Sequence, residues 1–263
     1  MLSFPDFRGA TRRLILANLG AYFLLLILHF AAPVFTNSMT FSLAFEPGSF
    51  LHGYLWQPLT YSLIHTSLLG TFFELLSLWF LAGLLESMHD DGWVMGLFAI
   101  SVLGTAAAAL FLYLVSFASG DSGVVVMTGC FGGIFGLLVA IGILHGDMEF
   151  MMFPLPINIK ARYLAVIYGL VAIAMLFGEQ RIYAFAQLGG AFAGWLFIRM
   201  APRRGFGFAL SERWYGMRNG YYRWKRRRTA RKFEVYMKKQ GRTVRFDGQG
   251  HLIDEDDDKK RWN

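Results

Sequence analysis

Long apolar runs are the feature that most constrains how this chain can fold. A helix needs roughly 20 apolar residues to cross a bilayer, because each residue advances it by only about 1.5 Å. The sequence contains six such runs, at about residues 14–35, 59–87, 93–115, 124–144, 161–177 and 182–200. The runs predict an all-α membrane protein with six transmembrane helices, and they argue against a soluble globular domain. The bilayer itself is then the first expected partner.

The charged residues are unevenly distributed along the chain. Residues 1–200 hold seven Lys/Arg and ten Asp/Glu, whereas residues 201–263 hold eighteen and eight. Positively charged flanks mark the cytoplasmic side of a membrane protein, and an even number of spans places both termini on that side. We therefore expect a cytoplasmic N-terminus (residues 1–13), a membrane domain (residues 14–200) and a basic cytoplasmic C-terminal tail (residues 201–263). The expected location is a bacterial inner membrane.

The tail mixes aromatic residues with cations, most densely at Arg226, Arg227 and Arg228. One interpretation is a solvated segment that only fixes the topology. The other is contact with anionic lipid headgroups, at about 1 kcal/mol per cation near the surface. Nucleic acid is a poorer partner, because the charge lies immediately beside the last span. The acidic run at residues 254–258 either folds back on the cations or is disordered.

Several classes of chemistry lack their usual signatures in this sequence. The single cysteine excludes an internal disulfide, and no Cys/His cluster with metal-ligand spacing is present. No glycine-rich phosphate-binding motif is present either. We therefore expect neither a cofactor nor a metal.

Glycines recur at helical spacing in two of the apolar runs. The fourth run contains Gly129–Gly136, in which four of eight residues are glycine. Gly132 and Gly136 lie four residues apart, as do Gly190 and Gly194 in the sixth run, so each pair shares one helix face. Such pairs let a second helix backbone approach closely within a membrane. Taken alone, they predict helix packing only.

The residues around these glycines resemble the motifs of the rhomboid intramembrane serine proteases, over about residues 56–194. The fourth run resembles the family's G-x-S-G-x-x-x-G box, with Phe131 at the position of the nucleophilic serine. The sixth run resembles A-H-x-x-G-x-x-x-G, with Gln187 at the position of the catalytic histidine. A third motif, described next, lies in the second run. The three motifs occur in the family's order.

The second run resembles the family pattern H-x-x-x-x-H-x-x-x-N, which is followed by a glycine and a glutamate. His65 matches the first histidine and Glu86 matches the final glutamate. Gly70 stands where the second histidine belongs, and Glu74 stands where the asparagine belongs. Trp56 matches the tryptophan near the end of the family's first loop.

The resemblance implies a six-transmembrane-helix rhomboid-like bundle that has lost the family's catalysis. Phe131 has no nucleophilic atom, and Gln187 does not accept a proton at neutral pH. Gly70 has no side-chain donor, and an ionised Glu74 would repel an oxyanion. Inactive relatives in this family act on the fate of client membrane proteins. We therefore expect a pseudoprotease that binds transmembrane segments of other proteins.

Two alternatives stay open. The first is an active intramembrane peptidase with a displaced nucleophile. Cys130 adjoins the serine position, but adjacent helix residues point about 100° apart. Ser67, Thr71 and Ser77 also carry nucleophile-type side chains, although hydroxyls in helices more often bond back to carbonyls. The second alternative is a structural subunit of a membrane complex.

The polar residues at the substituted positions lead to a further expectation. A charged side chain in the middle of a span is costly, so Glu74 should face the protein interior. Gln187 has a donor and an acceptor, and we expect it to hydrogen-bond Glu74, directly or through water. Phe131 should fill the space between the helices.

Overall fold

The computed structural model describes residues 5–118, 125–152, 157–178, 181–200 and 206–240. The acidic run predicted at residues 254–258 lies outside them. Ten α-helices and one two-stranded hairpin are found in this part of the chain. They are α1 (Gly9–Ala31), α2 (Pro33–Leu43), α3 (Pro47–Leu51), α4 (Gln57–Thr60), α5 (Leu68–Glu86), α6 (Asp91–Ala118), α7 (Phe131–Leu144), β1 (Glu149–Met152), β2 (Ile157–Lys160), α8 (Ala161–Met175), α9 (Arg181–Met200) and α10 (Phe206–Lys239).

Three of the described helices, α1, α5 and α6, are long and apolar enough to cross a membrane. Helices α7 and α8 are apolar but shorter, with 14 and 15 residues. The structure thus confirms a mostly helical chain with membrane spans. It does not confirm the predicted count of six.

The chain divides into two compact units, Met1–Phe206 and Gly207–Asn263. The first unit contains α1–α9 and the hairpin. The second contains α10 from its second residue onward, and it is described by itself below. The predicted boundaries at residues 13 and 200 stay predictions, although α1 already begins at Gly9.

Helices α6, α7 and α9 form the packed centre of the first unit, with the most extensive contact between α6 and α9. Glycines permit this closeness. A Cβ added at Gly190 would lie 2.8 Å from the carbonyl oxygen of Gly132, and one added at Gly194 would lie 2.8 Å from the Cα of Gly136. The four glycines of the two predicted pairs therefore lie where α7, α9 and α6 touch.

Helix α5 packs on both α1 and α7. Its last residue, Glu86, lies at the start of α1 and accepts hydrogen bonds from the backbone N–H groups of Ala10 (3.1 Å) and Thr11 (2.9 Å). The first N–H groups of a helix have no partner within the helix, so the carboxylate supplies one and also favours the positive end of the helix dipole. Glu86 thereby joins the two helices.

The segment between α1 and α5 holds the chain that leads into α7. Phe45 and Met127 exchange two backbone hydrogen bonds, of 3.0 and 2.8 Å, as an isolated antiparallel bridge. The hydroxyl of buried Tyr61 donates to the carbonyl of Val102 on α6 (2.9 Å). The indole N–H of Trp56 donates to the carbonyl of Ser42 (3.0 Å). These bonds fix the loop that carries His65 against the membrane helices.

Candidate functional site

The site lies where α5 begins beside the start of α7. Ser67 caps α5, because its hydroxyl oxygen accepts a hydrogen bond from the backbone N–H of Gly70 (3.3 Å). Thr71 donates its hydroxyl proton back to the carbonyl of Ser67 (2.6 Å). Glu74 follows one turn after Gly70 and is only 7% exposed. This burial agrees with the expectation that Glu74 faces the protein interior.

Gly129 shapes the approach to α7. Its φ of +87° lies in the left-handed region, which side chains rarely adopt. Its N–H donates to the carbonyls of Tyr61 (3.1 Å) and Ile64 (2.8 Å). A Cβ at this position would lie 2.9 Å from a carboxylate oxygen of Glu74. Glycine is thus required both by the backbone conformation and by the closeness of Glu74.

The Glu74 carboxylate contacts two other buried side chains. Its Oε2 accepts a hydrogen bond from the backbone N–H of Cys130 (2.8 Å), and the Cys130 Sγ lies 3.4 Å from the same oxygen. The Nδ1 of His65 lies 3.4 Å from it as well. That distance suits an ion pair, but the two atoms lack hydrogen-bond geometry and His65 Nδ1 has no hydrogen-bond partner. His65 and Glu74 are therefore in contact without a hydrogen bond between them.

Asn18 on α1 fixes the orientation of His65. The Asn18 amide N–H donates to the carbonyl of Leu14 (2.8 Å), so the amide oxygen is the atom that meets His65 Nε2 at 3.0 Å. An oxygen accepts only, so Nε2 carries the ring proton. In the neutral ring Nδ1 then has a lone pair, and this atom lies 3.4 Å from Glu74 Oε2. The three side chains His65, Glu74 and Cys130 could together hold a metal ion.

A cavity of about 690 Å³ opens beside this cluster. Four of its lining residues are the positions matched above to rhomboid catalytic residues, namely Gly70, Glu74, Phe131 and Gln187. The structure therefore brings together residues from α5, α7 and α9 that are far apart in the sequence.

One detail of the expected arrangement is wrong. Phe131 does not fill the space between the helices, because it lines the cavity wall with 41% of its surface exposed. Among the described residues, Glu74 contacts Cys130 and His65 and makes no direct hydrogen bond to Gln187, and a link through water stays a prediction.

A second cluster of aromatic and histidine side chains lies at the end of the unit where α5 meets α6. The His89 ring stacks on Trp93, with centroids 4.1 Å apart, and meets His145 edge-on at 5.8 Å. Burial lowers the pKa of His89 below its ordinary 6.5, and the neighbouring His145 lowers this pKa further. His89 therefore favours its neutral form in the folded protein.

Helix α10 of the second unit carries Arg226, Arg227 and Arg228 within its 34 residues. The guanidinium of Arg228 lies 5.4 Å from the centroid of the Trp224 ring, which is a cation–π distance. The side chains of Trp224 and Arg226 are exposed. The basic run is thus presented on a helix, which the sequence analysis did not predict.

Cys130 and Asn18 are the site residues that the sequence analysis missed. Cys130 was considered only as a displaced nucleophile, and Asn18 was not considered. Nothing in the sequence marks Cys130, because its contact with Glu74 arises only when α5 packs against the start of α7. For Asn18 the signal is a polar residue within a long apolar run.

Fold and site together define a polytopic integral membrane protein with a polar cluster buried among its helices. Residues 15–204 match a family described as Eukaryotic integral membrane protein (DUF1751), so the chain belongs to this family. The eukaryotic description overturns the expected location in a bacterial inner membrane, whereas a multi-pass membrane protein is confirmed. Charge bias in the sequence indicates which side of a membrane the termini face, and it does not indicate the kind of cell. Comparison with curated proteins gives no match.

Proposed function

We propose that this protein is a rhomboid-like membrane protein without peptidase activity, which binds transmembrane segments of other membrane proteins. The observation that carries the proposal is the cavity between α5, α7, α8 and α9. It is lined by Gly70, Glu74, Phe131 and Gln187. In the resemblance set out above, these four positions belong to the nucleophile, the base and the oxyanion donors of a peptidase.

The residues at these four positions lack the nucleophile and the base that peptide hydrolysis needs. A nucleophile needs a base that takes its proton, and the oxyanion needs donors. Cys130 has a nucleophilic atom, but it is fully buried, and neither it nor His65 is among the residues that line the cavity. The hydroxyl oxygen of Ser67 is already engaged as the cap of α5. These features support binding without cleavage.

The walls of the cavity suit a transmembrane segment. Its apolar lining includes Phe135 on α7 and Tyr168, Val171 and Met175 on α8. Tyr168 and Val171 are about half exposed, so they are open to a partner from the side of α8. Glu74 and Gln187 place polar atoms in the same wall. Polar atoms among apolar walls favour transmembrane helices that carry small or polar residues, because interhelical hydrogen bonds add to close packing.

The basic helix α10 supplies a second contact in the proposal, to anionic lipid headgroups. A polybasic segment close to a membrane gains about 1 kcal/mol per cation. Arg226, Arg227 and Arg228 follow Trp224, and aromatic side chains favour the interface between lipid and water. This contact would hold the tail at the bilayer surface.

Competitive photocrosslinking tests the binding. The purified protein is reconstituted in lipid with a photoreactive amino acid at Tyr168, and synthetic single-span peptides are added. We expect crosslinking to saturate and to be competed by unlabelled peptide. A photoreactive group at Leu24, which is exposed on α1 and outside the cavity, should give only uncompeted background.

A matched pair of variants on α8 sharpens this test. Val171→Trp adds bulk at the cavity wall, whereas Val166→Trp adds the same bulk at an exposed position outside the cavity lining. Crosslinking from Tyr168 should fall in the first variant and stay unchanged in the second. Equal crosslinking from Tyr168 and Leu24, or equal effects of the two tryptophans, would contradict the proposal. A single partner bound in fixed stoichiometry would favour the structural-subunit alternative.

A further inference from the structure

Three side chains of metal-ligand type converge beside the cavity. The Nδ1 of His65, a carboxylate oxygen of Glu74 and the Sγ of Cys130 all lie within 4.8 Å of one another. The exposed fractions of these residues are 7%, 7% and 0%. They come from three separate segments, namely the loop before α5, the helix α5 and the residue before α7. The three side chains therefore meet through the packing of these segments and not because they are neighbours in the sequence.

His65 is oriented as a ligand. Its Nδ1 is buried and has no hydrogen-bond partner. A buried acceptor without a partner normally costs free energy, so it calls for an explanation. Its Nε2–H donates to Asn18 Oδ1 at 3.0 Å, and Asn18 is itself held by Leu14. Metal-binding histidines almost always donate their other ring N–H to an oxygen in this way.

Two of the three separations match those of a tetrahedral zinc site. Bonds of about 2.0–2.3 Å from zinc to nitrogen, oxygen and sulfur place neighbouring ligand atoms about 3.4–3.6 Å apart. Glu74 Oε2 lies 3.4 Å from His65 Nδ1 and 3.4 Å from Cys130 Sγ. The remaining pair, Nδ1 and Sγ, lies within 4.8 Å. In a tetrahedral site these two atoms would come closer together when zinc binds.

Charge also favours a divalent ion at this point. A thiolate from Cys130, a carboxylate from Glu74 and a neutral His65 balance two positive charges. The loaded site is therefore neutral, which matters because an uncompensated charge inside a membrane protein is costly. Soft sulfur with imidazole suits zinc, whereas calcium and magnesium prefer all-oxygen ligands.

From these observations we propose that the protein binds one zinc ion, with His65 Nδ1, a carboxylate oxygen of Glu74 and the thiolate of Cys130 as ligands. Binding forms the Zn–S bond and releases the thiol proton of Cys130 to solvent. A water molecule completes the coordination, because Glu74 also lines the cavity. The ion would link the loop before α5 to the start of α7. This proposal does not depend on client binding.

Cobalt substitution is the first test, because the chain has a single cysteine. The full-length protein, purified in detergent with its tag removed, is stripped with a chelator and loaded with Co²⁺. We expect one equivalent to bind and to give a thiolate-to-cobalt absorption band, which only Cys130 can produce. Added Zn²⁺ should abolish the band. Binding without the band, or no stoichiometric binding, would overturn the proposal.

Zinc titration against a competing chromophoric chelator is the second test. Cys130→Ser should lose the high-affinity equivalent, and Asn18→Ala should weaken binding by about 10–100-fold, because it removes the oxygen that orients His65. His52→Ala is the matched control, since His52 is exposed and outside the cluster, and its affinity should equal that of the wild type. Unchanged affinity in Cys130→Ser would refute the site. Should that variant not fold, the cobalt spectrum of the wild type decides.

Discussion

The backbone N–H of Cys130 donates a 2.8 Å hydrogen bond to the Glu74 carboxylate, and α7 begins at the next residue. The carboxylate therefore lies at the N-terminus of α7, where the helix dipole places partial positive charge. A glutamate near the start of a span is stabilised here by a helix end and by a buried N–H. It joins α5 to α7 in the way that Glu86 joins α5 to α1.

The contact between Glu74 and Cys130 predicts different effects for two substitutions. Glu74→Ala removes the acceptor of a buried N–H and should lower the free energy of unfolding by about 1–3 kcal/mol. Glu74→Gln keeps an oxygen at the same place and should cost less. SDS titration of the purified protein measures both variants. Equal losses would show that the negative charge, and not the hydrogen bond, stabilises the contact.

The glycine contacts predict a steric effect at Gly190. A Cβ there would lie 2.8 Å from the carbonyl oxygen of Gly132, which belongs to the α7 backbone and cannot turn aside. Gly190→Ala should therefore lower the free energy of unfolding by about 1–3 kcal/mol. Gly169→Ala on α8 is the control, because nothing lies within 4 Å of its added Cβ. A destabilised Gly169→Ala would show that general helix effects dominate.

The environment of His89 predicts a pH dependence. Burial lowers the pKa of His89 below 6.5, so the unfolded chain takes up a proton more readily than the folded one. The neutral His89 therefore makes its full contribution to the stability of the folded protein above pH 6.5. This contribution is lost as the pH falls below that value. His89→Phe keeps the stacking on Trp93 but does not titrate. The melting temperature of this variant should fall less on acidification than that of the wild type.

Comparing the wild type with His89→Phe isolates the effect of His89, because the neighbouring titrating groups Asp90 and His145 are present in both proteins. Identical pH profiles for the wild type and His89→Phe would contradict the prediction.

The basic run of α10 predicts salt-dependent membrane binding. Replacing Arg226, Arg227 and Arg228 with glutamine should reduce binding of the tail to anionic lipid in a membrane that holds the full-length protein. The attraction should weaken with salt, since exposed charges are screened beyond a Debye length of about 8 Å at physiological ionic strength. The full-length protein is placed in nanodiscs of defined lipid, and the fluorescence of a probe on the tail reports the contact of the tail with the lipid surface. Equal signals in neutral and anionic nanodiscs would favour a tail that only fixes topology.

The helices were predicted best where apolar runs are long and uninterrupted. Helix α6 occupies Asp91–Ala118 against an expected 93–115, and α9 occupies Arg181–Met200 against 182–200. The fourth run was expected to be helical from residue 124, but α7 begins only at Phe131. Gly129 and the bridge between Phe45 and Met127 keep the preceding segment extended, and hydropathy carries no signal for such tertiary bonds.

Two further elements were not predicted from the sequence. The connector after α7 forms the hairpin β1–β2, paired from Glu149 with Lys160 to Met152 with Ile157. The tail forms the long helix α10, where exposed polar residues give no apolar periodicity. In both cases the apolar pattern that identified the other elements is weak or interrupted.

The candidate site was only partly predictable. The burial of Glu74 follows from the cost of charge in a span, and the cavity follows from the resemblance. The partners of Glu74 do not follow, because His65, Cys130 and Asn18 meet only through the packing of three segments. Phe131 was expected to plug the cavity, whereas it is the first residue of α7 and lines the cavity wall with 41% of its surface exposed.

The measurement that tests the central claim most directly is the fate of a bound transmembrane peptide. The protein is reconstituted in lipid with a single-span peptide that crosslinks competitively from Tyr168, and the peptide is analysed by mass spectrometry after prolonged incubation. The account predicts intact peptide and no labelling of the protein by a serine-reactive fluorophosphonate. Cleavage products that disappear when one serine, threonine or cysteine is replaced would contradict it.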